Sequence, residues 1–283
     1  MQRQTSPDMG GRTVVITRPA GTAAALARRV HARGGVPMLL PGLSLRGVSD
    51  PAAARVALEQ ALAGDLLIFT SPAAVAFAAA LAPLVSSATV LAVGRATAGA
   101  LHRRGLRVAP VPARQDSEGL LDHPALREVG GKRIALVGAP GGRGLLSEQL
   151  ASRGARLCEV QVYQRLAPRL NRRHLDALAQ LPASALILLS SAQALHHLCR
   201  LLPPAALARL LAATAVVSSE RLAIAARAAG FARVALASSA LSADLLDAAR
   251  GLADGPAQAG GLPATTPNAG LVAWLADPPR PPE

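Results

Sequence analysis

The sequence predicts an α/β protein built from two similar doubly wound parallel-sheet domains joined by a two-stranded antiparallel linker. Three observations carry this expectation. Short apolar runs recur, each followed by a helical stretch; the set of runs occurs twice; and two extended segments break the alternation between the copies. The length permits it, since 283 residues at roughly 150 per domain make about two domains.

The runs come in order. Val14-Val-Ile-Thr leads into a helical stretch over 20–33, Leu66-Leu-Ile-Phe into 72–81, and Val90-Leu-Ala-Val into 96–104. Ile134-Ala-Leu-Val leads into 145–153, Leu186-Ile-Leu-Leu into 192–201, and Ala215-Val-Val into 221–229. Continuous apolar runs, as opposed to alternating ones, suit strands covered on both faces of a parallel sheet. Gly34, Gly105, Gly154 and Gly230 stand where a helix ends and the left-handed cap is needed. Strand–helix alternation then demands doubly wound layers with right-handed crossovers.

The chain also resembles itself. Arg12-Thr-Val-Val-Ile, a helix and Arg33-Gly recur as Arg133-Ile-Ala-Leu-Val, a helix and Arg153-Gly. Asp65-Leu-Leu-Ile-Phe-Thr-Ser-Pro recurs as Ala185-Leu-Ile-Leu-Leu-Ser-Ser-Ala, and the Ala88-Thr unit ending at Gly105 as the Ala213-Thr unit ending at Gly230. The offsets are 121, 120 and 125 residues, far too long for a solenoid. Two similar domains facing one another are expected, with a cleft beyond the carboxyl ends of their strands. The extended segments around residues 37–43 and 158–167 are read as the paired connector. Residues 1–11 are polar and those from Gly251 are rich in Gly and Pro, so both ends are expected to be disordered tails, Trp274 included.

Composition narrows the function. Apolar residues make 51% and aromatics 2%, so the core must be Leu, Val and Ala around Phe69, Phe77 and Phe231. The formal charge is +13, yet Lys132 is the single lysine and the arginines are scattered. One Tyr, one Trp and the lack of a zinc-finger or RNA-binding signature weigh against nucleic acid, and a small, highly anionic metabolite fits the charge equally well. No run approaches the roughly 20 apolar residues of a membrane span, and the first residues lack a secretory segment; a cytoplasmic protein is expected. Cys158 and Cys199 make neither a disulfide framework nor a thiolate zinc site. His196 and His197 are adjacent and face apart on a helix, and His31, His102, His123 and His174 are scattered, so no metal is expected.

Small residues follow the strands: Thr17, Thr70-Ser71, Gly94, Gly138, Ser190-Ser191 and Ser218-Ser219. Each stands where a helix begins, with backbone N–H groups and the positive end of the helix dipole beside it. N-capping alone explains any one of them; several converging on one cleft would receive carboxylates. Ser117-Glu-Gly119 opens a helix after a Pro-flanked strand and is read in the same way. The loop from Gly138 to Gly144 lacks the Lys and hydroxyl residue of a phosphate loop and the dinucleotide spacing, leaving Arg143 as a candidate partner for an acidic group. No Gly-x-Ser-x-Gly elbow is present. Tyr163, the single tyrosine, lies on the connector; a phenol with a pKa of about 10 is protonated at neutral pH and can donate, although a lone strand tyrosine can equally be structural.

Taken in order, Val15-Ile-Thr-Arg-Pro, Phe69-Thr-Ser-Pro, Ala92-Val-Gly-Arg-Ala-Thr-Ala, Ser117-Glu-Gly-Leu-Leu, Gly141-Gly-Arg with Arg153-Gly-Ala, and Val162-Tyr-Gln-Arg resemble the uroporphyrinogen-III synthase family over about residues 12 to 250. Two departures stand out: Ala73 where the family often has Asn, and Gly138-Ala139 where it often has Arg-Gly. The resemblance implies a first domain of 12–36 with 168–250 and an inserted second domain of 44–157. It implies a cofactor-free, monomeric hydro-lyase that converts hydroxymethylbilane, a linear tetrapyrrole with eight carboxylates, to uroporphyrinogen III, with hydroxymethylbilane synthase as a transient partner. Tyr163 would be the catalytic proton donor. Thr17, Arg18, Thr70, Ser71, Gly94, Ser117, Gly119, Arg143, Ser190, Ser191 and Ser219 would bind substrate. A two-lobed binding protein for a small anion, without catalysis, is the competing reading.

Overall fold

The computed structural model describes residues 9–141 and 144–252. They form two compact units, one comprising the chain up to Ser44 and from Leu166 onward, the other Leu45–Arg165. The first unit opens with β1 (Thr13–Ile16), α1 (Ala24–Ala32) and β2 (Val36–Leu39), and β3 (Ser44–Gly47) spans the boundary. The second contains α2 (Pro51–Leu62), β4 (Leu66–Phe69), α3 (Pro72–Leu81), β5 (Thr89–Ala92), α4 (Arg95–His102) and α5 (Ser117–Leu121). It continues with β6 (Arg133–Gly138), α6 (Gly144–Ser152), β7 (Arg156–Gln161) and β8 (Tyr163–Leu166). The chain then completes the first unit through α7 (Arg172–Ala179), β9 (Leu186–Leu189), α8 (Ala192–Leu201), α9 (Pro204–Leu211) and β10 (Thr214–Val217). Its last elements are α10 (Glu220–Ala228), β11 (Arg233–Leu236) and α11 (Ser242–Gly251).

Each unit carries a parallel sheet, ordered β11-β10-β9-β1-β2 in the first and β5-β4-β6-β7 in the second, and β3 pairs with β8 in an antiparallel ribbon. The internal repeat survives as strand register. The order β2-β1-β9-β10 corresponds to β7-β6-β4-β5, and the pairs Thr13↔Val36 and Val14↔Leu186 reappear as Arg133↔Arg156 and Ile134↔Leu66. Residue numbers shift by 120 (13 to 133, 36 to 156, 186 to 66), so the first repeat aligns one residue away from the offset of 121 suggested by Arg12 and Arg133.

Both sheets are covered on both faces, which is why their strands are continuously apolar. In the first unit Val15, Ile187, Leu189 and Val217 face one core layer, while Val14, Ile16, Leu188 and Val216 face the other. In the second, Leu67, Phe69 and Val137 oppose Leu66, Ile68 and Leu136 in the same way. Helices end on Gly34, Gly105, Gly154 and Gly230, all at positive φ. Among the described residues no helix is long and apolar enough to cross a membrane.

Four local expectations change. Of the segments 37–43 and 158–167 read as connector, residues 37–39 and 158–161 belong to the strands β2 and β7 of the parallel sheets; the ribbon itself is Ser44–Gly47 with Tyr163–Leu166. As edge strands with exposed positions, β2 and β7 lack the continuous burial that marks their neighbours. The Pro-flanked stretch before α5 is not a strand: Ala109 N–H reaches the Val90 carbonyl at 2.9 Å, but Pro110 and Pro112 have no N–H to extend a ladder. Met9 is no tail residue, being 1% exposed and packed with Val30. At the other end α11 includes Gly251, and the Gly/Pro-rich stretch with Trp274 lies outside the described residues. Helices α2, α7, α9 and α11 and strand β11 come in addition to the six strand–helix units of the sequence pattern.

Gly42 marks a close approach that the fold requires. Its N–H donates to the Thr17 carbonyl at 3.0 Å, and a Cβ there would stand 2.5 Å from Ala194 Cβ and 2.9 Å from its backbone. Gly42→Ala is expected to lower unfolding stability by about 1–3 kcal/mol, measured by denaturant titration followed by circular dichroism. Gly47→Ala, which meets nothing within 4 Å, is expected to leave the midpoint unchanged.

Candidate functional site

Strand order reverses between β1 and β9 in the first unit and between β4 and β6 in the second. Doubly wound sheets bind ligands just outside the carboxyl ends of their strands at such a reversal. In the first unit Thr17 and Arg18 follow β1, Ser190 and Ser191 follow β9, and Ser219 follows β10. In the second, Thr70 and Ser71 follow β4, Gly94 follows β5, Gly138 ends β6, and Tyr163 follows β7 at the start of β8.

The two threonines act as straps across the reversals. Thr17, 3% exposed, donates its hydroxyl to the Leu188 carbonyl at 2.8 Å, joining the ends of β1 and β9. Thr70 donates to the Val137 carbonyl at 3.2 Å, joining β4 and β6. A hydroxyl has one hydrogen, and both threonines direct theirs at backbone. The serines differ. Ser71, Ser191 and Ser219 accept the N–H of Ala74, Ala194 and Leu222 at 3.1, 3.2 and 3.3 Å as N-caps of α3, α8 and α10. Capping uses a lone pair and leaves the hydroxyl hydrogen to be donated, so capping and ligand contact are compatible in one residue. Ser190 and Ser219 are exposed.

Arg18 is half-buried beside these groups. Its Nη2 donates to Ser242 Oγ at 3.1 Å, while its Nε is buried without a hydrogen-bond partner. Burial, and then repulsion from Arg29, lower its pKa, and a guanidinium remains charged regardless. No ion pair among the described residues includes Arg18.

The α5 region is arranged differently from the expectation. Its N-cap is Asp116, whose Oδ1 accepts the Gly119 N–H at 2.8 Å, and Arg114 pairs with both Asp116 and Glu118. Partial burial works to raise the Asp116 carboxyl; the Gly119 N–H and the Arg114 guanidinium outweigh it and hold the pKa below the usual carboxylate range. The cap is therefore ionised at neutral pH and weakens only as pH falls through that lowered pKa. The helix start beside Ser117 and Gly119 thus already holds a carboxylate of the protein's own. A Cβ on Gly119 would collide with the Arg114 carbonyl, which accounts for the glycine. At α4, Gln115 Oε1 accepts the Arg95 N–H at 2.8 Å and covers Gly94. Arg143 lies outside the described residues.

Tyr163 is 6% exposed. Its ring stacks on Phe77 with centroids 5.3 Å apart and planes inclined by 14°, and its hydroxyl lies 3.2 Å from Ser71 Oγ. A cavity of about 240 Å³ at the carboxyl end of β6 is bounded by Thr70, Gly138, Ala139, Gly144, Glu159 and Gln161. Glu159 accepts a hydrogen bond from Ser147 at 2.9 Å. The sequence does not point to Phe77, Gln115, Asp116 or Glu159 as site residues, and marks Phe77 only as a core aromatic. Asp116 carried a legible signal, an Asp three residues ahead of the Gly119 N–H; the other three had none. Elsewhere, His197 Nδ1 hydrogen-bonds the Gly42 carbonyl at 3.0 Å. Burial pushes the Cys199 thiol up to about 12, so it carries no thiolate near neutrality. Among the described residues no group of three His, Cys, Asp or Glu could hold a metal ion.

The chain is similar to known proteins. Residues 24–247 match the family described as uroporphyrinogen-III synthase HemD. The uroporphyrinogen-III synthase of Escherichia coli K12 is 31% identical over 251 residues, covering 83% of this chain and 99% of that one. That of Salmonella typhimurium LT2 is 34% identical over 166 residues, 55% of this chain and 65% of the relative, a match just under two-thirds of its length. Two solved structures share the fold. A mutant uroporphyrinogen III synthase from the extremely thermophilic bacterium Thermus thermophilus has a TM-score of 0.54 at 21% identity, covering 83% of this chain and 96% of that one. The uroporphyrinogen-III synthetase of Helicobacter pylori 26695 has a TM-score of 0.56 at 17% identity, covering 85% and 99%.

Thr17→Val removes the strap and leaves the Leu188 carbonyl buried without its partner. It is expected to cost about 1–3 kcal/mol of stability, measured by denaturant unfolding at constant pH.

Proposed function

Because the chain belongs to the uroporphyrinogen-III synthase family, we infer that it closes hydroxymethylbilane into uroporphyrinogen III, with loss of the terminal hydroxyl as water and inversion of the last ring. The observation that carries this reading at the level of residues is the phenol of Tyr163 beside the cap of α3, next to loops rich in hydrogen-bond donors. Chemically the reaction is a hydro-lyase closure that needs no cofactor, because the pyrroles of the substrate supply the electrons.

Two tasks fall to the chain. The first is proton donation: a neutral phenol near the departing hydroxyl gives it the proton it needs to leave as water. The second is orientation. Closure without inversion yields the symmetric isomer, so the substrate must be held bent, with the substituted carbon of its last ring against its first ring. Positioning of this sort supplies several kcal/mol to a difference between barriers. Carboxylates are held by Arg18, by the hydroxyl hydrogens of Ser190, Ser191 and Ser219, and by the N–H groups that open α8 and α10. Thr17 and Thr70 set the frame for these donors. Thr70, Gly94, Ser117, Gly119 and Arg143 complete the proposed contact set, with Gly119 acting through the shape of its loop.

The test is a coupled assay in which hydroxymethylbilane synthase feeds this protein and the type III and type I products are separated after oxidation. Type III product is expected in excess. Spontaneous-rate type I product alone would leave a binding protein without catalysis. Tyr163→Phe is expected to lower kcat by about 10²-fold, the low end for general acid catalysis, while type III product remains detectable; an unchanged rate would remove Tyr163 from the chemistry. Raising ionic strength is expected to raise KM, because an octa-anion meeting cationic donors is screened. A salt-independent KM would count against charge-based recognition.

A further inference from the structure

Ser71 and Ser191 stand 120 residues apart at matching points of the two sheets, and each caps its helix through a single accepted N–H, from Ala74 and Ala194 respectively. They differ in what else they touch. In the second unit the phenol oxygen of Tyr163 lies 3.2 Å from Ser71 Oγ; 120 residues before Tyr163 the chain has Leu43, buried and without a polar atom. Ser191 caps its helix with no phenol as partner, the chain having a single tyrosine, so the contact with a phenol is what the second unit adds. Either oxygen can donate in that contact. The Ala74 N–H occupies one lone pair of Ser71 Oγ and leaves its hydrogen free; if Tyr163 gives its own hydrogen to substrate, Ser71 is the donor between the two. The start of α3 adds its positive potential on the same side. Phe77, stacked on the ring, holds the plane of the phenol so that its oxygen cannot swing from the serine.

We propose that Ser71 is the positioning residue of Tyr163, donating its hydroxyl hydrogen to the phenol oxygen and stabilising the phenolate that remains when Tyr163 releases its proton. The inference rests on the reading of Tyr163 as proton donor and deepens it. In the step concerned, the Tyr163 O–H bond and the C–O bond of the substrate's hydroxymethyl group break together. The proton joins the departing oxygen, which leaves as water with the C–O electron pair, and the adjacent pyrrole supplies the electrons for the carbon left behind. The phenolate keeps the O–H pair and is neutralised by the proton that the ring system loses on closure. A hydrogen bond to oxygen strengthens as charge gathers there, so Ser71 favours the transition state over the resting phenol.

The single tyrosine of the chain makes this measurable, since the tyrosinate absorbance of the full-length protein reports Tyr163 alone. Ser71→Ala and Ser71→Gly are expected to raise the tyrosinate midpoint by about one pH unit and lower kcat about tenfold, with little change in KM. Ser71→Gly keeps most of the helix cap and guards against a folding defect. Ser71→Thr is expected to restore both values, and Ser191→Ala, which loses the equivalent cap, to leave the tyrosinate midpoint in place. An unmoved midpoint in Ser71→Gly overturns the proposal, as does a raised KM at constant kcat, because Ser71 would then hold substrate and not the phenol. An unmoved midpoint beside a slow Tyr163→Phe is a failure of Ser71 alone; a shifted midpoint with unaltered kcat, matched by an unaltered Tyr163→Phe rate, is a failure of the donor reading beneath it.

Discussion

Parallel strands buried on both faces must deliver the chain to the surface at one edge of the sheet, and the helices that follow start there with their first N–H groups lacking helical partners. That constraint organises both units. Ser71, Ser191 and Ser219 answer it with side-chain oxygens, Asp116 with a carboxylate, and Gln115 by reaching over Gly94. Thr17 and Thr70 tie neighbouring strand ends across the reversals. In the proposed function, the donors offered to a polyanion are arranged by the same backbone arithmetic that stabilises the fold, and capping and recognition become two uses of one set of groups.

The repeat shows how one frame takes on two chemistries. Strand register is preserved residue by residue between the sheets, yet the residues displayed at the ends have diverged. Position 18 is an arginine with a buried Nε lacking a partner; 120 residues on stands Gly138, where any Cβ would collide with Thr70 Oγ1. The strap that closes the second reversal thus excludes an arginine there. In exchange, the second unit holds the stacked phenol, which the first replaces by Leu43. The first sheet thus carries a half-buried guanidinium at a strand end, and the second a stacked phenol.

Burial explains which elements were legible. The central strands β1, β4, β6, β9 and β10 are continuous apolar runs because water touches neither face, and a local window suffices to see them. The edge strands β2 and β7 are half-exposed, and a window cannot distinguish such a pattern from a connector. The site residues divide along the same line. Ser71, Ser191 and Ser219 were found because a cap is a relation over three residues. The stacking role of Phe77 and the placement of Glu159 were missed because they depend on Tyr163 and on Ser147, partners that no short window contains.

The amino-acid order alone settled the alternation of strand and helix, the twofold repeat, the caps, the family resemblance and the identity of the one phenol. All of these depend on neighbours within about one helical turn, or on an ordered series of short motifs. Only the tertiary structure decided which partner each hydroxyl meets: for Thr17 a carbonyl 171 residues away, for Ser71 a phenol 92 residues away. Serine and threonine are chemically ambivalent, and the partner that resolves the ambivalence is brought in by sheet register and packing over distances no local pattern spans.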